Sequence, residues 1–226
     1  MRGSTAASRT VERRSVNPFH APQVEQPEQS DADMDLGDDL LGPTGQSEGP
    51  SLPPGSPAPS GPRFLVASGI APPETITVAG LHGGSGATTV RRVLERHSEF
   101  SWVEAPHRGV VPERGAAIFV ARTSGVGLEQ ATRAAREWGD GSLGGLALLG
   151  LVLVADGPRT APELRAAAKR VARMYPRAWR VEWLPEWHLT AEPDLERIPR
   201  KVRGMRKNIT AWATERGLAA TPKEMK

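Results

Sequence analysis

The chain has 226 residues with a formal net charge of +3, many more Arg than Lys, and no Cys. The lack of Cys excludes a disulfide scaffold and any Cys-ligated zinc or iron–sulfur site. The longest apolar run, residues 143–155, is shorter than the roughly 20 residues that a membrane-spanning helix needs, and no secretory signal is recognisable. We therefore expect a cytoplasmic protein without a membrane span.

Charge and proline are unevenly distributed along the chain. Residues 1–62 hold 10 of the 21 Pro and a net charge of −5, which leaves +8 for the remainder. Such a segment buries too little apolar surface to offset the entropy lost on ordering. We predict a disordered acidic, Pro-rich tail over 1–62, an α/β domain over 63–195 and a basic amphipathic C-terminal helix and tail over 196–226. Two short apolar pieces in the tail are candidate docking motifs for a protein partner, and a plain solvated linker is the alternative.

Strands and helices are predicted to alternate after residue 62. β-branched and apolar runs predict strands, and apolar residues spaced three or four apart predict helices. The predicted strands are 74–79, 102–103, 116–121, 146–155 (broken at Gly150) and 179–184; the predicted helices are 88–96, 128–138 (stopped by Gly139), one that begins at Pro162, and 199–216. This alternation predicts a three-layer, doubly wound α/β fold with a mainly parallel sheet.

A glycine-rich turn joins the first predicted strand to the first predicted helix. Glycines let backbone N–H groups approach an anion, and a helix N-terminus carries a partial positive charge. The turn is therefore a candidate phosphate cradle, although the same glycines would also serve a tight turn with no ligand. The candidate nucleotide-binding residues are His82, Gly83, Gly84, Ser85, Gly86, Ala87, Thr88 and Thr89.

The residues of this turn resemble the deviant P-loop (deviant Walker A) of ParA/MinD-type ATPases, Lys-Gly-Gly-x-Gly-Lys-Ser/Thr-Thr. The sequence from His82 to Thr89 matches that pattern except at both lysines. The resemblance implies that His82 replaces the signature lysine of a nucleotide-sandwiched dimer. It implies also that Ala87 replaces the lysine on the β- and γ-phosphates, and that Thr88 holds Mg²⁺ beside ATP.

The resemblance spans roughly residues 74–190 in shortened form. ParA-type proteins place roughly 70 residues between the P-loop helix and the strand that resembles 116–121, whereas this chain has about 20. The strand with the usual switch aspartate therefore looks deleted. The chain also resembles small truncated ParA-like proteins of unknown function in mobile elements of high-GC bacteria.

Three further polar residues follow predicted strands. Asp156 ends a strand at the carboxyl edge, where α/β sheets bind ligands, so it is a candidate for Mg²⁺ or for the nucleotide base. Asp156 also begins a sequence typical of an ordinary turn. Arg122 is a candidate for the same crevice, with a solvated loop arginine as the favoured alternative, and Glu104 is a weaker candidate.

The lost lysine removes a charge-assisted contact and the electrostatics on which phosphoryl transfer depends. We therefore expect a degenerate P-loop that is non-catalytic or binds nucleotide weakly. The resemblance implies an accessory role in DNA partition, or in plasmid or mobile-element maintenance or transfer. The alternatives are an active ATPase switch that forms a homodimer around ATP, and an interaction module that binds no nucleotide.

The predicted C-terminal helix has a basic stripe. Arg200, Arg203 and Lys207 follow one another at helical spacing, on a different face from the apolar positions. Such a stripe is a candidate surface for nonspecific DNA or for an acidic partner. The alternative is a solvated face on a helix that is docked by its apolar side.

Overall fold

The computed structural model describes residues 63–96, 98–189 and 193–218. The predicted disordered tail over residues 1–62 lies outside these residues. None of the helices found in the described ranges is both long and apolar enough to cross a membrane.

Strands and helices alternate as the hydrophobic patterns predict. The strands are β1 (Val66–Ala67), β2 (Thr75–Gly80), β3 (Ser101–Glu104), β4 (Val110–Val111), β5 (Gly115–Arg122), β6 (Leu146–Val154) and β7 (Ala178–Val181). The helices are α1 (Ala87–Glu95), α2 (Gly125–Gly139), α3 (Pro162–Ala172), the single-turn α4 (Glu186–Leu189) and α5 (Arg200–Glu215). As predicted, Pro162 occupies the first turn of α3, where its missing N–H costs nothing.

Five strands form one parallel sheet in the order β3-β2-β5-β6-β7. The chain moves from β2 to one neighbour, β3, and then crosses to its other neighbour, β5. The strand order therefore reverses between β2 and β5, and open α/β sheets bind ligands outside the carboxyl ends of the strands at such a point. The glycine-rich turn follows β2 at this end of the sheet.

Helices cover both faces of the sheet. On one face, α2 and α3 pack through residues such as Leu128, Ala131 and Val171. On the other face, α1 and α5 pack through residues such as Leu94 and Ile209. The central strand β5 is buried along most of its length, as an apolar strand covered on both sides requires. The prediction of a three-layer, doubly wound α/β fold is confirmed.

The crossover from β3 to β5 contains no helix. The segment before β2, which includes β1, packs along this crossover instead. Within this crossover β4 pairs in parallel with β1. The segment is fixed by Glu137 of α2, which is only 8% exposed. Its carboxylate accepts from the backbone N–H of Phe64 at 2.8 and 2.9 Å and from that of Leu65 at 2.7 Å. These backbone donors offset the cost of burying the Glu137 carboxylate, because a buried charged group is destabilising unless it is hydrogen-bonded. The sequence analysis did not predict this small sheet.

Gly150 does not break its strand, contrary to the prediction. The register between β5 and β6 shifts after Ala117, which leaves Leu149 as the extra residue of a bulge. The indole N–H of Trp212 in α5 donates to the Leu149 carbonyl at 3.0 Å. A Cβ on Gly150 would lie 2.2 Å from the Arg177 carbonyl oxygen, so the close approach of the next strand requires glycine there.

Several predicted boundaries shift, and two of them by three residues. The last strand ends at Val181 and not at residue 184, because its partner β6 ends at Val154. Helix α2 begins at Gly125 and not at residue 128, and it includes Gly139; the left-handed turn that follows falls on Gly141, with φ of 76°. Helix α5 packs against the sheet through Val202, so it belongs to the same core as the α/β domain.

Candidate anion-binding cleft

The glycine-rich turn leaves the start of α1 uncapped. Gly86 is the N-cap residue with φ of 90°, a left-handed conformation that favours glycine, and no side chain accepts from the first amides of the helix. Gly84 has φ of 71°. Amides at a helix start lack intrahelical acceptors, so they are available to an anion in front of the helix.

Ser85 is a largely buried residue that lines the space in front of this helix. It is 3% exposed, and its hydroxyl has no hydrogen-bond partner within the described ranges. A Cβ on Gly80 would lie 2.6 Å from the Ser85 Oγ, so glycine at position 80 makes room for this hydroxyl. The Ser85 Oγ is not one of the fully buried, unpartnered polar atoms of the described residues, so it is open to the cleft. It is a polar group that a ligand atom in the cleft would contact.

Thr88 and Glu104 meet across the same space. The Thr88 hydroxyl donates to Glu104 Oε1 at 2.8 Å. Glu104 ends β3, which pairs directly with β2, so the parallel register brings the carboxylate beside the first turn of α1. In the sequence Glu104 is a weaker candidate because it follows a predicted strand of only two residues, and the strand order that makes β3 the neighbour of the turn is not visible there.

His82 is tied into the domain by both ring nitrogens. Nε2 accepts from the backbone N–H of Arg122 at 3.0 Å. The ring proton is therefore assigned to Nδ1, which lies 2.9 Å from the Gly83 carbonyl and donates to it. The imidazole joins the turn after β2 to the end of β5, and both nitrogens are engaged within its own domain.

Arg122 connects the turn to the next strand. Its Nε donates to the Gly84 carbonyl at 2.6 Å, and its Nη1 pairs with Asp156 Oδ1 at 3.0 Å. Arg122 thus lies at the crevice, as one of the two sequence interpretations held. Asp156 is engaged by this arginine and is not among the residues that line the cleft, whereas Thr88 is bonded to Glu104.

These groups surround an open cleft of about 370 Å³. The cleft is lined by residues 82–89 of the turn and the first turn of α1, by Arg122, and by residues 104–108 from the end of β3 and the loop that follows. Ala87 is 7% exposed and packs with the apolar residues of α1, so this position supplies packing and no charge. All eight predicted turn residues therefore lie together, and the loop after β3, which the sequence analysis did not single out, completes the site.

The described part of the chain offers few side chains that could bind a metal ion. No three His, Asp or Glu side chains there come close enough to form a metal centre by themselves. The Thr88 hydroxyl and the Glu104 carboxylate lie side by side, and they would offer two oxygen atoms to Mg²⁺, which takes one or two protein ligands together with water and phosphate oxygens.

The basic stripe on α5 is exposed. The side chains of Arg200, Arg203 and Lys207 have no hydrogen bond or ion pair with any residue that the structure describes. The neighbouring Arg206, by contrast, donates to the Arg96 carbonyl at 3.0 Å and holds the end of α1. The stripe and the cleft are thus separate candidate surfaces, and the stripe faces away from the apolar side that packs on the sheet.

Comparisons with known proteins add a family without an assigned role. The model of DUF6668, described as a family of unknown function, matches residues 74–205. No curated protein matches the chain. A solved structure described as "Crystal structure of an hypothetical protein" is 12% identical, over 65% of this chain and 73% of that chain, with a TM-score of 0.29. A likeness at that level carries no argument about this protein.

Proposed function

Because the chain belongs to the DUF6668 family, whose function is unknown, we propose from the cleft itself that this domain binds the phosphates of a nucleotide without efficient hydrolysis. The observation that carries the proposal is the uncapped start of α1, which faces a cleft of about 370 Å³ beside the unpartnered Ser85 hydroxyl. A cleft of this size falls in the range of small-molecule sites. Its place at the strand-order reversal is where α/β sheets bind ligands.

Weak or absent catalysis is proposed on electrostatic grounds. Phosphoryl transfer depends on charges preorganised around the transferred group. At position 87 the methyl group of Ala87 packs into the core, and the guanidinium of Arg122 is held by Gly84 and Asp156. The turn can therefore still offer backbone amides, while the charge that would stabilise a transition state is reduced.

ATP with Mg²⁺ is the proposed ligand pair. Thr88 and Glu104 would hold the metal through oxygen, which fits the preference of Mg²⁺. Their mutual hydrogen bond of 2.8 Å holds both side chains at the cleft. Bound Mg²⁺ would neutralise part of the phosphate charge.

A calorimetric titration of the full chain with Mg·ATP tests the proposal. We expect saturable binding, weaker binding to Thr88→Ala, and little or no phosphate release over hours. Thr132→Ala is a matched control, because Thr132 bonds to a carbonyl of its own helix, α2. Absence of heat with the wild-type protein would refute nucleotide binding, and rapid phosphate release would instead favour the ATPase switch.

The switch alternative has its own readout. An ATP-dependent homodimer would raise the mass measured by light scattering when Mg·ATP is added. We expect an unchanged mass, because His82, at the signature-lysine position, has both ring nitrogens engaged within its own domain.

An accessory role in DNA partition, or in mobile-element maintenance or transfer, is proposed from the ParA/MinD resemblance alone. The fold does not by itself indicate this role, because one fold can serve many functions. The exposed stripe of Arg200, Arg203 and Lys207 favours nonspecific DNA as a second ligand. A gel shift with the three residues changed to Ala tests it. Deleting the helix would be uninformative, because Val202 and Ile209 belong to the core. If the triple variant bound DNA with unchanged affinity, the stripe would be a solvated helix face and not a DNA-binding surface.

A further inference from the structure

We propose that Arg108, in the loop between β3 and β4, supplies the positive charge to a phosphate in the cleft that Ala87 cannot supply. The proposal rests on the proposed function, since it names the cation of the same site. Arg108 lies far from the glycine-rich pattern in sequence, and only the fold brings its loop to the cleft.

The loop that carries Arg108 is fixed to the strand that carries the turn. At its start the Ala105 N–H donates to the Val78 carbonyl at 3.0 Å, and at its end the Gly109 N–H donates to the Gly80 carbonyl at 3.0 Å. Gly109 has φ of 70°, and a Cβ there would lie 2.7 Å from the Phe64 carbonyl oxygen, so the segment before β1 presses against the loop end. The backbone of the loop is therefore held beside the cleft at both ends, so it needs little ordering when a ligand binds.

Arg108 differs from the other arginine of the cleft in being uncommitted. Arg122 is engaged by the Gly84 carbonyl and by Asp156. Arg108 is exposed, lines the cleft, and makes no hydrogen bond or ion pair with any residue in the described ranges. Among the Lys and Arg residues that line the cleft, it is the one whose charge is not already neutralised by a protein group.

The remaining polar groups of the cleft point to an anion as the partner. The uncapped amides of α1 and the unpartnered Ser85 hydroxyl face the same space. The one carboxylate that lines it, Glu104, accepts from Thr88 and is the group proposed above to hold Mg²⁺, whose charge would offset its own. His107 also lines the cleft and is exposed. Arginine donates to phosphate oxygens in a fixed fork, so a phosphate group between Arg108 and the start of α1 would be bound from two sides.

Calorimetric titration of the full chain with Mg·ATP, and separately with pyrophosphate, tests this assignment. We expect Arg108→Ala to weaken both by about 10- to 100-fold, the range for a lost charge-assisted contact. Arg108→Lys should recover most of the affinity. The matched control is Arg114→Ala, which removes another exposed charge, at the opposite end of β5. The wild-type affinity should also fall more steeply with salt than that of Arg108→Ala, an effect that a purely structural role would not produce.

The possible outcomes separate the two proposals. If the wild-type protein binds and Arg108→Ala binds equally well, the role of Arg108 is refuted while the proposed function stands. If Arg108→Ala and Arg114→Ala weaken binding equally, only the overall charge of the protein matters and the assignment fails. If the wild-type protein binds neither Mg·ATP nor pyrophosphate, both proposals are refuted.

Discussion

Replacing Gly127 with Ala tests how the cleft is held together. Gly127 lies in the first turn of α2, and a Cβ there would be 2.2 Å from the Arg122 carbonyl oxygen and 3.0 Å from His82 Nε2. The first of these atoms belongs to the backbone of β5 and cannot rotate away. Helix α2 would have to move off the strand, and the hydrogen bond between His82 and the Arg122 N–H would be strained.

The expected size follows from two opposing effects. Alanine is favoured over glycine inside a helix by about 1 kcal/mol. Overpacking against a fixed backbone costs about 1–3 kcal/mol, and weakening the His82 hydrogen bond adds about 1 kcal/mol. We therefore expect Gly127→Ala to lower the free energy of unfolding by about 1–3 kcal/mol. With urea m-values of about 1–3 kcal/mol/M, the unfolding midpoint should fall by about 1 M.

Two other helical glycines provide controls of opposite sign. A Cβ on Gly125 of α2 or on Gly204 of α5 would meet no atom within 4 Å. Their replacement by Ala should raise the free energy of unfolding by up to about 1 kcal/mol. The measurement is urea unfolding followed by tryptophan fluorescence. If Gly127→Ala shifted the midpoint upwards as the controls do, the close approach of α2 to Arg122 would be wrong.

Three further changes test the packing around the site. Glu137→Ala removes the acceptor of two backbone N–H groups before β1, so we expect a loss of about 2–3 kcal/mol and faster hydrogen exchange at those amides; unchanged exchange would contradict the anchoring role. Trp212→Phe keeps an aromatic ring but removes the N–H that donates to Leu149 together with part of the indole, so urea unfolding should show a loss of at least about 1 kcal/mol; no loss would show that the bulge carbonyl needs no donor. Tyr175, the single tyrosine of the chain, donates to the Ala131 carbonyl at 2.6 Å, and burial raises its pKa. Its phenol should stay protonated in the folded protein above pH 10, where the unfolded chain ionises, so this contribution to stability falls as the pH rises past about 10. Tyrosinate absorbance that appears near pH 10 while the protein is still folded would refute this.

Most of the sheet could be predicted from local patterns. A buried parallel strand such as β5 needs apolar residues on both faces, and its continuous apolar run shows that directly. The wrong predictions concern positions where an adjacent strand determines the local structure. Gly150 looks like an interruption in sequence, but the close approach of the Arg177 carbonyl turns it into part of a bulge. The end of β7 depends on where β6 stops, which no local pattern records.

The residues of the cleft also fall into two groups, those that the sequence predicts and those that only the fold brings to the site. The turn and the start of α1 are visible in sequence, because glycines and threonines follow a strand. Glu104 and Arg108 reach the cleft only because β3 pairs with β2 and the next loop is bonded to Gly80. Such residues come from a separate element and share no motif with the turn. Asp156 follows the carboxyl end of β6, which predicts a contact with Mg²⁺ or with a nucleotide base, and in the structure its carboxylate pairs with Arg122.

The ties that hold the turn also bear on how it would bind. Arg122 holds the Gly84 carbonyl, His82 holds the Arg122 N–H, and Glu104 holds the Thr88 hydroxyl. A loop held by its own side chains keeps its shape without a ligand, so less ordering entropy is lost on binding. The same ties occupy groups that would otherwise stabilise charge developing on a transferred phosphate. On the proposed function, a turn built in this way would retain a bound anion rather than convert it, and Arg108, which makes no hydrogen bond or ion pair within the described ranges, would supply the positive charge.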